Sequence, residues 1–293
     1  MTDLSWRPAT LDDAEAVAAL RTTIHHRTGA GWPVDVDGVR HEWNTMVPVG
    51  ETLLAVEGDT LLAWGYAWAR HGRHFLGGGV HPDRWGEGLG RHLLAWQLGQ
   101  VPAGDMADTR VDSRDQRTIR LLSRLGLAPL REYLELSRPT SLSVAPTTVE
   151  GLRIETFRPE FGHGLWAAHH DAFAEHYGFT PTPEAEWLPA RTGHPDFRPE
   201  WSFLAFDGDT VVGYAVAFGP KAVHIGVLGT RGPWRGRGVA GALLENAARA
   251  GAVAGVDEVN LDVDSENGTG AVAVYLRNGF TERSRTISYG RTA

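Results

Sequence analysis

The chain repeats itself at the scale of a domain. Leu54-Ala-Val-Glu-Gly-Asp-Thr60 returns as Leu204-Ala-Phe-Asp-Gly-Asp-Thr210, and Trp85-Gly-Glu-Gly-Leu-Gly90 returns as Arg235-Gly-Arg-Gly-Val-Ala240, both 150 residues later. Val111-Asp-Ser113 and Arg124-Leu-Gly126 come back as Val263-Asp-Ser265 and Arg277-Asn-Gly279, at offsets of 152 and 153. Four landmarks in one order at nearly constant spacing are a duplication, and the period is far too long for a solenoid unit. Two copies of one fold are therefore expected, at residues 1–140 and 150–293. Between them runs Pro139-Thr-Ser-Leu-Ser-Val-Ala-Pro146, an uncharged linker rich in Pro and Ser.

Each copy carries the same order of local signals. A short strand (Ser5–Arg7; Leu152–Thr156) precedes a helical pattern (Leu11–Thr22; Gly164–Ala174). A hairpin follows, Thr52–Val56 with Leu61–Ala67 around Glu57-Gly-Asp, and Ser202–Phe206 with Val211–Ala217 around Asp207-Gly-Asp. A Gly-Asp pair between apolar, β-branched runs is a strong hairpin signal. A further strand (Phe75–Val80; Ala222–Leu228) leads into the glycine segment, which opens a helix placing Leu243, Leu244, Ala247 and Ala248 on one face. Val259, Leu261 and Val263 then alternate with Asn260, Asp262 and Asp264, as in a half-buried strand. A short helix through Tyr275 and a strand over Arg283–Ser288 close the unit. The fold class is α+β, each copy a mixed, mostly antiparallel sheet flanked by helices.

Composition removes whole classes of chemistry. With no cysteine, thiolate nucleophiles, disulfides and cysteine-ligated metals are excluded. A net charge of −8 argues against nucleic-acid binding, which draws its affinity from phosphate neutralisation by a basic face. Of the 28 basic residues all but Lys221 are Arg, which reads as base composition and not as function. No basic-then-apolar leader and no long apolar run appears, so a cytoplasmic protein without membrane partners is expected. The pairs His25-His26 and His169-His170, with His176, invite a metal reading. Adjacent helical residues point about 100° apart, and no His-x-x-x-His spacing occurs, so no metal is expected.

The segment Arg235-Gly-Arg-Gly-Val-Ala240 carries the most chemistry. Glycines let a backbone approach an anion, the first helical turn offers unpaired N–H groups, and the dipole favours negative charge. Arg235 and Arg237 add charge-assisted donors, so a diphosphate is a natural guest. A glycine turn alone is equally a packing device. A P-loop would need Gly-Lys-Ser/Thr, whereas Gly238 precedes Val239. Gly236-Arg-Gly-Val-Ala-Gly241 matches the letters of a dinucleotide fingerprint, but it follows hairpin strands and lacks the acidic residue that ends a second parallel strand.

Residues 235–240 resemble the acyl-CoA signature of the GCN5-related N-acetyltransferase (GNAT) superfamily, Arg/Gln-x-x-Gly-x-Gly/Ala, at every specified position. Asn267 followed by Tyr275-Leu-Arg-Asn-Gly-Phe280 resembles the family's Asn and Tyr-x-x-x-Gly-Phe. The hairpins and strand order agree in both halves, so the likeness spans nearly the whole chain. Within the superfamily, a duplicated chain with Ser137-Arg-Pro139 closing its first half looks most like the mycothiol synthases.

The resemblance implies an acetyl-CoA-dependent N-acetyltransferase acting by direct attack on a small-molecule amine. It implies that the backbone of Arg235, Gly236, Arg237, Gly238, Val239 and Ala240 cradles the CoA pyrophosphate. Val227, Leu228 and Gly229 would pair with the pantetheine arm, with one N–H polarising the acyl carbonyl. Asn267 would order the segment before the last helix, and Tyr275 would protonate the departing thiolate. His224 stands where mycothiol synthases place a substrate-facing Glu, and is a candidate base; Asp262 and Glu266 are fallbacks, and a structural His224 is the plain alternative. Trp187, Trp201 and His176-Tyr-Gly-Phe179 are candidates for the acceptor wall. The first copy keeps Gly86, Gly88 and Gly90, so CoA could still fit there. Trp85 stands in place of Arg235, however, and Leu122 in place of Tyr275, so the first copy is expected to be structural or regulatory and the second catalytic.

Overall fold

A computed structural model describes residues 4–29, 34–142, 147–176, 179–268 and 270–293. Residues 143–146 of the expected linker and 177–178 of the candidate acceptor wall lie outside the described residues. The first copy runs β1 (Leu4–Pro8), α1 (Ala14–Thr28), α2 (Val36–Thr45), β2 (Thr52–Glu57), β3 (Thr60–Arg70), β4 (Arg73–Val80), α3 (Leu89–Gly99), β5 (Met106–Asp112), α4 (Gln116–Arg124) and β6 (Ala128–Pro139). The second copy repeats the order as β7 (Arg153–Thr156), α5 (Gly162–Phe173), α6 (Glu184–Thr192), β8 (Phe203–Asp207), β9 (Thr210–Phe218), β10 (Val223–Thr230), α7 (Val239–Val253), β11 (Glu258–Asp264), α8 (Ala271–Arg277) and β12 (Thr281–Thr292).

The hairpins form where the Gly-Asp pairs place them. Glu57 faces Thr60 and Asp207 faces Thr210, leaving two-residue turns in which Gly58 and Gly208 take φ of +59° and +56°. Such values favour glycine because a Cβ would crowd the backbone. Each hairpin also carries the same register shift, at Ala55/Val56 and at Ala205/Phe206. The duplication therefore reaches down to backbone irregularities.

The chain forms two compact units, residues 1–131 with 286–293, and residues 132–285. The closing strands are thus counted away from their covalent halves. Over Thr286–Thr292, β12 pairs antiparallel with β5, completing the first unit's order β1-β2-β3-β4-β5-β12. From Tyr133 to Pro139, β6 pairs antiparallel with β11, giving the second unit's order β6-β11-β10-β9-β8-β7. A covalent cut at 140–150 does not coincide with these units, because backbone pairing and not sequence proximity decides which sheet a final strand completes.

In the second unit α7 lies on β9 and β10 with Leu243, Leu244, Ala247 and Ala248 in the core, the face its periodicity indicates. Close approach is bought with glycine: a Cβ on Gly213 would meet Val239 Cγ1 at 2.6 Å. The opposite face of the sheet is covered by α5 and α6, whose Leu165, Ala168, Ala172 and Trp187 pack on Leu204, Tyr214 and Val216. Both tryptophans proposed for the acceptor wall are core residues here, Trp187 in this cluster and Trp201 in the α7 cluster. In the first unit, Leu94, Leu98, Val111, Leu122 and Tyr289 share one cluster.

Candidate active site

The site is a gap built into the second sheet. Among the described residues strand β10 pairs with parallel β11 only at Val223↔Val259 and His224↔Asn260, so beyond His224 the edge of β10 that faces β11 has no ladder partner there. On its other edge, β10 stays bound to β9, with a bulge between Ile225 and Val227 that inserts Gly226. The bulge flips the side-chain alternation: Ile225 faces the α7 core, whereas Val227 packs on the α5 side. The same geometry explains a second glycine. Tyr214 lies directly across Gly229, where a Cβ would sit 2.2 Å from its hydroxyl.

Past β10 the chain makes one turn of 3-10 helix (Gly232–Trp234) and enters the glycine segment. Gly236 and Gly238 adopt φ of +75° and +82°, and Gly238 caps α7 without a side-chain bond. The first regular helical bond recorded there is Ala242 N to Gly238 O at 3.0 Å, so the N–H groups of the preceding turn remain available to an anion. Arg235 braces this turn: its Nε donates to Thr230 O at 3.1 Å and its Nη2 to Ala172 O at 3.0 Å. Its charge is thereby held beside the turn; Arg235 and Arg237 are both exposed.

A cleft of about 590 Å³ joins these parts. Leu228, Gly229, Arg235, Gly236, Gly238, Val239 and Ala240 line it, and so does Tyr275 from α8. Tyr275 is 7% exposed and meets Phe280 edge-on at 6.0 Å. Burial pushes its phenol up to about 12, so the hydroxyl keeps its proton across the physiological range. Phe173 and His176 close the cleft from the end of α5. Val227 and Arg237 are adjacent in sequence to lining residues but do not line it, and Asn267, four positions before Ala271, does not line it either. Asn267 lies in the segment after β11, where its backbone N–H donates to Asp264 O at 3.1 Å.

His224 is not part of this lining either. Its Nδ1 lies 2.8 Å from Asn260 Oδ1, across the last pair of the parallel ladder. A buried polar pair that sequence reading missed sits beneath the cleft: His169 Nδ1 is 3.0 Å from the Tyr214 hydroxyl. Burial, with Arg191 nearby, pushes His169 down to about 3, so it stays neutral. No local signal could have joined these two residues, since they are 45 positions apart.

The first unit keeps the turn and loses its charge. Gly86 and Gly88 have φ of +90° and +92°, and Gly90 packs close to Leu121 and Val80. Trp85 substitutes for Arg235 in detail: its Nε1 donates to Val80 O at 2.9 Å, the counterpart of the Arg235 bond to Thr230 O. Arg117 stacks 3.5 Å over the Trp85 ring. Arg84 is tied to Glu57 at 3.0 Å and to Glu87 at 2.7 Å, and Glu87 occupies the position of Arg237. Leu122, at the position of Tyr275, is core.

Among the described residues no cluster of three or more His, Asp or Glu is arranged to hold a metal, and no helix is long and apolar enough to cross a membrane.

Comparison with known proteins identifies the family to which this sheet, turn and cleft belong. Residues 163–280 match the family model described as "Acetyltransferase (GNAT) family". A mycothiol acetyltransferase from Catenulispora acidiphila is 33% identical over 222 residues, covering 72% of this chain and 70% of that protein. One from Tsukamurella paurometabola is 31% identical over 232 residues, covering 73% and 76%. A crystal structure of a GCN5-related N-acetyltransferase from Sphaerobacter thermophilus superposes with a TM-score of 0.78 at 26% identity, covering 98% of this chain and 95% of that one. A tandem GNAT protein from the clavulanic acid pathway superposes with a TM-score of 0.77 at 16% identity, over 99% and 98%, a likeness of fold. The chain belongs to the GNAT family and is an acyltransferase of the tandem-domain type.

Proposed function

We propose that the second copy transfers an acetyl group from acetyl-CoA to the primary amine of a small molecule by direct attack, and that the first copy is not catalytic. The observation that carries this reading is a cleft lined both by the glycine turn and by Tyr275. The turn offers unpaired N–H groups and Arg235 to a diphosphate. The unpaired edge of β10 beyond His224 offers main-chain groups to the pantetheine arm and a donor to the acyl oxygen. Tyr275 then donates to the departing thiolate. In the first unit the counterpart turn carries Glu87 and a Trp85–Arg117 stack, and the counterpart of Tyr275 is Leu122, which has no proton to give.

A more specific reading is the acetylation of a cysteinyl pseudodisaccharide, favoured by the relatives named mycothiol acetyltransferase. The test is a panel of primary amines with acetyl-CoA, read by thiol release, that includes such a conjugate and uses Tyr275→Phe as control. Calorimetry with CoA is expected to give one site per chain. Two equivalent sites, or thiol release that ignores Tyr275, would overturn the assignment. CoA binding without any amine turnover would leave a non-catalytic acyl-CoA-binding protein.

A further inference from the structure

An alkylammonium has a pKa of about 10 and cannot attack until it loses a proton, so the cleft needs a proton acceptor. The titratable groups that line it among the described residues are His176, Arg235, Glu245, Tyr275 and Arg277. The guanidinium groups of Arg235 and Arg277 are donors with no acceptor atom. Glu245 is paired with the buried Arg138 at 2.9 Å, and Tyr275 holds its proton. His176 alone is left able to stand neutral near pH 7 and accept one.

We propose that His176 is the base that deprotonates the incoming amine. The proposal rests on the transferase reading and completes it. Its ring is stacked on Phe173, with centroids 4.3 Å apart and planes 22° from parallel, so its orientation is fixed by packing. No hydrogen bond to either ring nitrogen is recorded among the described residues, and the ring borders the cleft. The charged groups that face it are Arg235 from the turn and Asp264 from the end of β11, and His169, on the preceding helix α5, is neutral. Burial and Arg235 hold the ring below its ordinary value and Asp264 opposes them, so the neutral form prevails at neutral pH. His224 has the right chemistry but sits outside the lining, its Nδ1 directed to Asn260.

The ammonium gives one proton to the His176 ring, and its freed lone pair forms the C–N bond to the thioester carbonyl. The C–S bond breaks with the sulfur's charge against the Tyr275 hydroxyl. The second proton shed by nitrogen after attack ends on that sulfur, and His176 returns its proton to water.

The experiment compares wild type, His176→Gln, His224→Gln and Tyr275→Phe. Each is assayed between pH 6 and 9 with acetyl-CoA and the amine turned over fastest in the panel, and acetyl-CoA affinity is measured by calorimetry. His176→Gln is expected to lower kcat at pH 7 by about 100-fold or more. Acetyl-CoA affinity should hold, the acidic limb of kcat/KM should vanish, and added imidazole or higher pH should recover part of the rate. A His176→Gln protein with kcat within about threefold of wild type and its acidic limb intact overturns the proposal, as does a loss that follows His224→Gln instead. Should His176→Gln fail to fold, NMR titration of ¹⁵N-histidine wild type decides. The His176 ring should titrate below its ordinary midpoint and shift on adding acetyl-CoA, and an unmoved ring refutes it. A wild type that binds acetyl-CoA yet acetylates no amine refutes the transferase reading itself, a result distinct from an active enzyme indifferent to His176.

Discussion

Removing the Tyr275 hydroxyl separates catalysis from folding. No internal hydrogen bond to that hydroxyl is recorded among the described residues, and the ring's packing on Phe280 survives in Tyr275→Phe. The variant should therefore lose under about 0.5 kcal/mol of stability, a shift in Tm of about 2 °C or less. The kinetic effect follows from the phenol's environment. With its pKa pushed up to about 12, against a thiol near about 8.5, complete proton transfer to the thiolate is uphill by roughly 5 kcal/mol. The group thus acts chiefly as a hydrogen-bond donor to developing negative charge, worth about 1.5–3 kcal/mol. That corresponds to a loss of roughly 10- to 150-fold in kcat, with little change in acetyl-CoA affinity. Because the shift is upward, the protonated form persists, and no alkaline limb from Tyr275 should appear below about pH 10. Steady-state thiol release and calorimetry on the same preparations provide the assay. A kcat within about threefold of wild type at unchanged Tm would refute the role given to this hydroxyl, and a loss beyond about 1000-fold would refute the hydrogen-bond account in favour of full proton transfer.

Gly238→Ala and Gly88→Ala should cost similar stability, about 1–2 kcal/mol each, since both positions have left-handed φ and a Cβ at either meets nothing within 4 Å. Only Gly238→Ala should weaken CoA binding, by about tenfold or more in calorimetry; equal loss in both would put a functional diphosphate site in each unit. Deleting residues 286–293 removes the strand beside β5, the Ser288 bond to Asp108 at 2.6 Å and buried Tyr289. Truncating one buried aromatic costs about 3–5 kcal/mol, so residues 4–131 should lose hydrogen-exchange protection, and full protection would show the exchanged strand to be dispensable. His169, pushed down to about 3 from an ordinary value near 6.5, contributes stability that is present above about pH 6.5 and lost as pH falls toward 3. Urea unfolding at pH 7, 5 and 4 should show a steeper decline for wild type than for His169→Gln, worth at most roughly 5 kcal/mol, and parallel declines would argue against a neutral buried ring.

Much of the molecule was legible because its signals are local. The offset of 150 residues, the Gly-Asp turns and the strand-to-helix glycines each depend on neighbours within a few positions. They placed two like folds, their hairpins and the turn that borders the cleft. The apolar face of α7 was readable from a 3.6-residue rhythm, and it packs as that rhythm requires. Helix α6 was not readable, since Pro189 lies inside it and broke the pattern that would have marked it.

What the amino-acid order by itself determined, then, is that the chain holds two homologous sheets and that one of them kept an arginine turn and a tyrosine where the other has Trp85 and Leu122. Only the tertiary structure decided which sheet each final strand completes, which histidine borders the cleft, and that Tyr214 and His169 lie paired beneath it. The strand pairings and the buried pair join residues 45 to 186 positions apart, and a backbone edge or a buried hydroxyl selects its partner by geometry and desolvation after the elements meet, leaving no periodicity along the chain to announce it.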